Sequence, residues 1–316
     1  MSKWITILVS PPILMTSKNW LFIWSILEIN TFAFISLMNK KNESEEMMKY
    51  FLIQSMASMM IILAMSMKMF TESSMSMFSW DTSILLVFSM IIKSGAAPTY
   101  QWMPPIIRKM SWQNTLIFLS LQKMAPTFLL LKTSSLMMMN IIINLSILMG
   151  TILQLMTLNL KTLMTYSSIS HMSWMLLSGE KSTKMFMFYF LIYSTILAMI
   201  TNECSKTNIK YLSKENISKS LMMNVMSFSG IPPLLGFMPK WLILMFITES
   251  KFNKMTMLLM IMMSCVNIFI YFRIFYLKML NKQNTKKSLN NSKLFTMSSN
   301  INMVSFLMLI STPMLL

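Results

Sequence analysis

Apolar runs close to twenty residues long recur from one end of this 316-residue chain to the other. A helix of about twenty residues crosses a bilayer core of ~30 Å, and few other folds can accept so many such runs. Inside lipid no water is available to the backbone, so each run must satisfy its own amides and carbonyls, which a helix does. The composition leaves no soluble alternative. Apolar residues are 55% of the chain and charged residues 12%, about half the ~25% usual in soluble domains. With a mean hydropathy of +0.58, the polar side chains cannot cover the apolar ones. The prediction is an all-α polytopic membrane protein forming a single transmembrane domain over residues 1–316.

Eleven candidate crossings follow from the pattern, at roughly 4–16, 20–38, 47–67, 80–107, 112–131, 136–158, 162–178, 185–203, 220–247, 255–277 and 297–316. Two are interrupted. Gly95 and Pro98 break the fourth, and Gly230, Pro232, Pro233, Gly236 and Pro239 forbid continuous helix through the ninth. The first run, Trp4–Val9 leading into Pro11-Pro12, has no small-residue cleavage site after it and reads as a short span. The longest connections, Ser205–Lys219 and Leu280–Thr296, leave no room for a soluble domain between spans.

The net charge of +17 would suit a nucleic-acid partner if it were clustered, but the lysines lie scattered between the apolar runs. They face lipid headgroups and set orientation, and no nucleic acid is expected. Alternating sides along the eleven spans collects 16 Lys and Arg on the N-terminal side and 7 on the other. The positive-inside bias then places the N-terminus in the matrix, if the membrane is mitochondrial, and the C-terminus in the intermembrane space. Mitochondrial coding is itself suggested by 43 methionines interchanging freely with Ile and Leu, alongside only two Arg and five Gly. These are the residues of AT-rich codons with AUA read as Met, and methionine fills the same apolar contacts. Cys204, Cys265 and the lone His171 offer neither a disulfide framework nor a metal cluster.

Five ionisable side chains fall inside spans, where each central charge costs ~2.5–3.5 kcal/mol and needs a reason. Glu28 lies about 12 Å below Trp20 at ~1.5 Å per residue, too deep to snorkel out. Lys93 opens KSGAAP at the first break, where unpaired backbone groups line a polar cavity if they are tolerated at all. Lys123, in LQKMAP, is the deepest basic residue, and Gln122 and Pro126 indicate a locally opened helix. His171 shares one helical face with Ser167, Ser170 and Trp174, a stripe that favours a water-accessible face and a proton-passing imidazole. Lys240 follows the second break. For each, a packing role competes with a proton-relay role: a protonated acid bonding a neighbouring helix, a lysine capping freed carbonyls, a satisfied core histidine. Two broken spans, each beside a lysine, match the pattern of transporters for small ions. Burial disfavours the charged forms and an opposite charge restores them, so moving a partner charge moves protons.

The segments LEIN at 27–30, KYFLIQSMASM at 49–59, KSGAAP at 93–98, LQKMAP at 121–126, YSSISHMSWM at 166–175 and SGIPPLLGFMPKW at 229–241 resemble, in order and over nearly the whole chain, the antiporter-like membrane subunits of respiratory complex I. The resemblance implies an antiporter-like fold; the animal members most like this chain have eleven helices, two of them broken. It also implies a membrane-arm subunit that helps translocate protons, a subunit of the enzyme NADH:ubiquinone reductase, embedded in the mitochondrial inner membrane among other membrane-arm subunits. NADH, flavin, iron–sulfur clusters and ubiquinone are then handled elsewhere in the complex, with no cofactor in this chain. By motif, Glu28 and Lys93 resemble the family's Glu–Lys pair, Lys123 its central lysine, His171 a histidine of the hydrophilic axis and Lys240 the terminal lysine. Departures occur at TYQWMPP, where Tyr100 and Pro105 stand in place of the family's usual His and Glu, so no role is carried over there. Ser229-Gly230 stands in place of the usual Gly-Gly. The alternatives are a stand-alone cation/proton antiporter and an assembly subunit that does not pump.

Overall fold

A computed structural model describes residues 2–38, 43–71, 79–157, 159–207, 219–247 and 254–282. Among them the elements are helical: α1 (Ser2–Thr16), α2 (Trp20–Leu37), α3 (Ser44–Thr71), α4 (Ser79–Ser94), a 3₁₀ turn (Tyr100–Trp102), α5 (Met103–Lys109), α6 (Trp112–Leu119), α7 (Leu121–Thr133), α8 (Leu136–Leu155), α9 (Leu160–Lys181), α10 (Thr183–Thr207), α11 (Lys219–Ser229), α12 (Phe237–Ile247) and α13 (Lys254–Lys282). Ten of the eleven expected crossings fall on these helices, and the run at 297–316 lies outside the described residues. Pro11 and Pro12 do not end α1. The helix continues to Thr16, and the Ser10 hydroxyl donates at 3.4 Å to the Ile7 carbonyl that Pro11 leaves without an amide.

The chain divides into two compact units, Met1–Ser146 and Ile147–Leu316. In the first, α1 packs on α2 and α7, α2 on α3, α3 on α4 and α5, and α4 and α6 on α7. In the second, α10 packs on α9, α11 and α12, with further contacts of α9 with α12 and α11 with α13. Among the described residues, six stretches are long and apolar enough to cross a membrane, and five of them bury less than half of their apolar window in protein. Their outward side chains are large and apolar, such as Leu21, Phe22, Phe32, Leu52, Met56 and Met59 on α2 and α3. That is the surface a hydrocarbon environment requires.

The exception is the α6–α7 stretch, whose apolar window is mostly buried and whose residues Lys123 to Leu130 are buried without interruption. Its counterpart in the second unit is α9, buried from Leu163 to Ser178 except at Tyr166. This helix is too polar to stand out by hydropathy, because protein rather than lipid surrounds it. The ionisable residues Lys123 and His171 sit on these two inner helices.

At one rim of the first unit, the Glu43 carboxylate accepts from the Ser111 amide and the Asn114 side chain at 2.8 and 2.9 Å, fastening the start of α6. Lys109 ends α5 between Glu46 and Glu45, each at 2.9 Å. The two hydrogen bonds raise the Lys109 ammonium above its ordinary value, and Lys109 in turn holds the Glu45 carboxyl below its own.

Candidate functional site

In the first unit, Lys93 occupies the last turn of α4, directly before Gly95, whose φ of 65° is a left-handed conformation suited to glycine. The break removes an amide partner from the last carbonyls of the helix, and Gln54 of α3 supplies one by donating to the Lys93 carbonyl at 3.3 Å. Glu28 of α2 faces the Lys93 ammonium at 3.5 Å. A charge-assisted N–H···O bond is usually ~2.7–2.9 Å, so this pair is a coulombic contact with slack in it. Among the described residues, Glu28 Oε1 and Lys93 Nζ have no other hydrogen-bond partner, and the Lys93 side chain is 2% exposed against 17% for Glu28. The expected pair is therefore present and faces the protein interior.

Lys123 is buried in the first turn of α7. The helix opens just before it. Ser120 leaves helical geometry (φ −105°, ψ −86°), and its hydroxyl donates to the Leu116 carbonyl at 2.6 Å. Pro126 then removes the amide that would bond the Gln122 carbonyl. The opening expected around Gln122 and Pro126 is real, and its discontinuity falls at Ser120. Lys93 and Lys123 line one small cavity, and Glu28 faces Lys93, so the first unit brings Glu28, Lys93 and Lys123 together.

The second break runs from Gly230 to Gly236, and α12 resumes at Phe237 with Pro239 in its first turn. Pro239 therefore belongs to the restarting helix, where a missing amide costs nothing. Pro232 and Pro233 are the residues whose amides would have bonded the Phe228 and Ser229 carbonyls, and neither has an N–H to give. Two side chains take their places. His171 Nε2 lies 3.1 Å from the Phe228 carbonyl, and Lys240 Nζ donates to the Ser229 carbonyl at 2.9 Å. A carbonyl only accepts, so Nε2 carries the imidazole proton, and Nδ1 accepts from the Tyr189 hydroxyl at 2.8 Å. Gly230 makes this possible. Its φ is 83°, and a Cβ there would stand 2.8 Å from Lys240 Nζ.

The serine stripe beside His171 is packed in protein. Ser167 and Ser170 donate back to carbonyls of their own helix, and the His171 ring lies between Tyr189, Tyr193 and Phe228. His171 and Lys240 thus meet consecutive carbonyls at the end of α11. Apart from Gln122, sequence reasoning did not single out the members of three further polar groups. Asn30, Tyr50 and Gln122 form a connected set in the cavity of the first unit. Glu203 accepts from Ser220 and Asn224 at 2.8 Å each. Arg273 donates to the Leu155 and Thr157 carbonyls and so caps the end of α8. Asn30, Tyr50 and Gln122 do lie within the quoted motifs, whereas Glu203 carried no signal beyond its place at a span edge. Among the described residues, no group of three or more His, Cys, Asp or Glu could hold a metal ion.

Comparison with known proteins adds three findings. A family model described as NADH:quinone oxidoreductase/Mrp antiporter, transmembrane, matches residues 17–270. The NADH-ubiquinone oxidoreductase chain 2 of Anopheles gambiae is 36% identical over 90% of this chain and 87% of its own, and that of Locusta migratoria is 33% identical over 94% and 91%. A chain of respiratory complex I from Thermus thermophilus, solved with bound aureothin, superposes with a TM-score of 0.79 at 17% identity. It covers 96% of this chain and 77% of the Thermus chain, and at that identity it speaks for the fold.

Proposed function

The chain belongs to the NADH:quinone oxidoreductase/Mrp antiporter family and, within it, to the NADH-ubiquinone oxidoreductase chain 2 group; from that premise we propose that Glu28, Lys93, Lys123, His171 and Lys240 are its proton relay. It is a multi-pass protein of the mitochondrial inner membrane, an antiporter-like membrane-arm subunit of complex I working beside other membrane-arm subunits. NADH oxidation and ubiquinone reduction are carried out in other subunits, and this chain contributes to the coupled proton translocation. We further propose that flavin, iron–sulfur clusters and quinone lie outside this chain, which forms one membrane-embedded domain with its N-terminus in the matrix and its C-terminus in the intermembrane space.

The observation that carries the relay is the slack Glu28–Lys93 pair, whose lysine lines the same cavity as Lys123. While paired, each charge offsets the other's desolvation. When a rearrangement separates them, the desolvation of Lys93 is no longer offset, and Lys123 lines the same cavity to receive its proton. Deleting one member of a buried pair typically destabilises by ~3–5 kcal/mol, so the informative replacement is near-isosteric. In assembled complex I carrying Glu28→Gln, proton transport and coupled quinone reduction should fall together while NADH still reduces the redox centres. Parental proton pumping by that assembled variant would exclude the pair as an obligatory step.

A further inference from the structure

The cavity between the two lysines contains polar side chains that the relay does not use. Of its lining, Thr31 and Ser94 donate back to carbonyls of their own helices, which leaves the carboxamides Asn30, Gln54 and Gln122 and the phenol Tyr50 beside Lys93 and Lys123. Gln54 is engaged with the Lys93 carbonyl. The other three bond to one another. Asn30 Nδ2 donates to Gln122 Oε1 and Gln122 Nε2 donates to Asn30 Oδ1, both at 3.2 Å, and the Tyr50 hydroxyl donates to Gln122 Oε1 at 3.4 Å. Two donors therefore share the two lone pairs of Gln122 Oε1.

Carboxamides do not ionise in the range where lysine, glutamate and histidine do, so Asn30 and Gln122 cannot store a proton in transit. What they can do is set direction. If both amides turn end for end, the pair keeps its two reciprocal bonds with the same heavy-atom positions. The contact with Tyr50 reverses, however: Gln122 then presents Nε2, which only donates, and the phenol oxygen must accept. The phenolic hydrogen is released to point elsewhere. The ring itself is held by aromatic neighbours, with Phe34, Phe118 and Trp102 at centroid distances of 5.2, 5.8 and 6.2 Å, so the hydrogen is the part of Tyr50 that moves. The set has two fully bonded arrangements, and they differ in whether Tyr50 offers the cavity a lone pair or a hydrogen.

We infer that Asn30, Gln122 and Tyr50 form a hydrogen-bond polarity switch that positions the water carrying a proton between Lys93 and Lys123. This rests on the relay proposed above. In the transfer, the Lys93 ammonium loses one proton, a cavity water accepts it and releases another, and the Lys123 amine gains one. The amides and the phenol keep their own number of protons throughout. A water that hands on a proton is left with its hydrogen bonds reversed, and the next proton needs them turned back. The concerted amide turn does this without leaving a buried polar atom unpaired, which is why the three residues act as positioning residues rather than carriers.

The test uses intact complex I reconstituted in vesicles, bearing Gln122→Met, Tyr50→Phe, the exchange Asn30→Gln with Gln122→Asn, or Lys123→Met. Coupled turnover, its solvent deuterium isotope effect and NADH oxidation by a soluble artificial acceptor are measured together. Gln122→Met and Tyr50→Phe should each slow coupled turnover about fivefold or more, the order set by one net hydrogen bond in the transferring geometry. Both should raise the isotope effect and spare the artificial-acceptor rate, and the exchanged pair should recover most of the loss. Should Gln122→Met fail to assemble, Tyr50→Phe, which removes a single oxygen, decides. Parental rates and isotope effects overturn the switch, and so does a slower rate with a parental isotope effect and no recovery in the exchanged pair. Lys123→Met separates the two levels: normal pumping by it overturns the relay, whereas lost pumping beside unaffected Gln122 and Tyr50 variants overturns the switch alone.

Discussion

Gly230 has a backbone conformation that side-chain-bearing residues rarely adopt, and the space where a Cβ would go is filled by the Lys240 ammonium. Gly230→Ala therefore meets two obstacles. The φ of 83° adds a strain of ~1–2 kcal/mol, and a Cβ only 2.8 Å from Nζ displaces the flexible end of Lys240 from the Ser229 carbonyl. The expected outcome is a complex that assembles with a lowered thermal-inactivation temperature and pumps poorly, with the ammonium moved in a high-resolution map. An alanine variant with Lys240 still on Ser229 and parental pumping would show that the contact is dispensable. The sequence made Lys240 conspicuous through the prolines and glycines before it. What it binds was not legible there, because the carbonyl becomes available only when the break folds. The bond of His171 to Phe228 was harder still, since 57 residues separate them and the imidazole proton is fixed by a backbone group.

At the scale of elements, the breaks were readable because glycine and proline act locally, removing amides and admitting left-handed backbone wherever they occur. Gly95–Pro98 interrupts helix as expected, and the second break ends at Gly236 rather than at Pro239. The discontinuity at Ser120 has no such local cause at its own position, and the nearby polar Gln122 and Pro126 gave only its neighbourhood. Prolines in the second break should thus differ in consequence by position. Pro232→Ala restores an amide that competes with His171 for the Phe228 carbonyl, so the ring loses its fixed acceptor and with it the tautomer that turns Nδ1 toward Tyr189. Coupled pumping in that variant should fall by about fivefold, on the order of one net hydrogen bond. Pro239→Ala, in the first turn of α12, restores an amide that no helical carbonyl was waiting for, and should pump at the parental rate. Equal behaviour of the two, measured in reconstituted vesicles, would contradict the assignment of the Phe228 carbonyl to His171.

Over the whole molecule, the alternation of charged rims was legible from the spans, and contacts within each unit group the same ends together. Lys3 at the start of α1 donates to the Ser36 carbonyl at the end of α2, and Lys109 ending α5 pairs with Glu45 and Glu46 opening α3. At the opposite rim of that unit, Lys132 ending α7 donates to the Met15 carbonyl near the end of α1. In the second unit, Arg273 toward the end of α13 reaches the Leu155 and Thr157 carbonyls at the end of α8. Lys3, Lys109 and, after α8, Lys161 at the start of α9 belong to the set of 16 basic residues, and Lys132 to the set of 7. Positive charge is retained on the side from which a chain inserts, so the richer rim should face the matrix. The Ser205–Lys219 segment contains Lys206, Lys210, Lys214 and Lys219, which makes it a trypsin target on that rim. Trypsin added to inside-out inner-membrane vesicles should cut there, while trypsin added to right-side-out mitoplasts should leave the segment whole. Cutting only in mitoplasts would invert the topology and place the N-terminus in the intermembrane space. The contacts of Glu28, Lys93, Lys123, His171 and Lys240 within their units would be the same under either orientation, and the direction of travel through the proposed relay would be reversed.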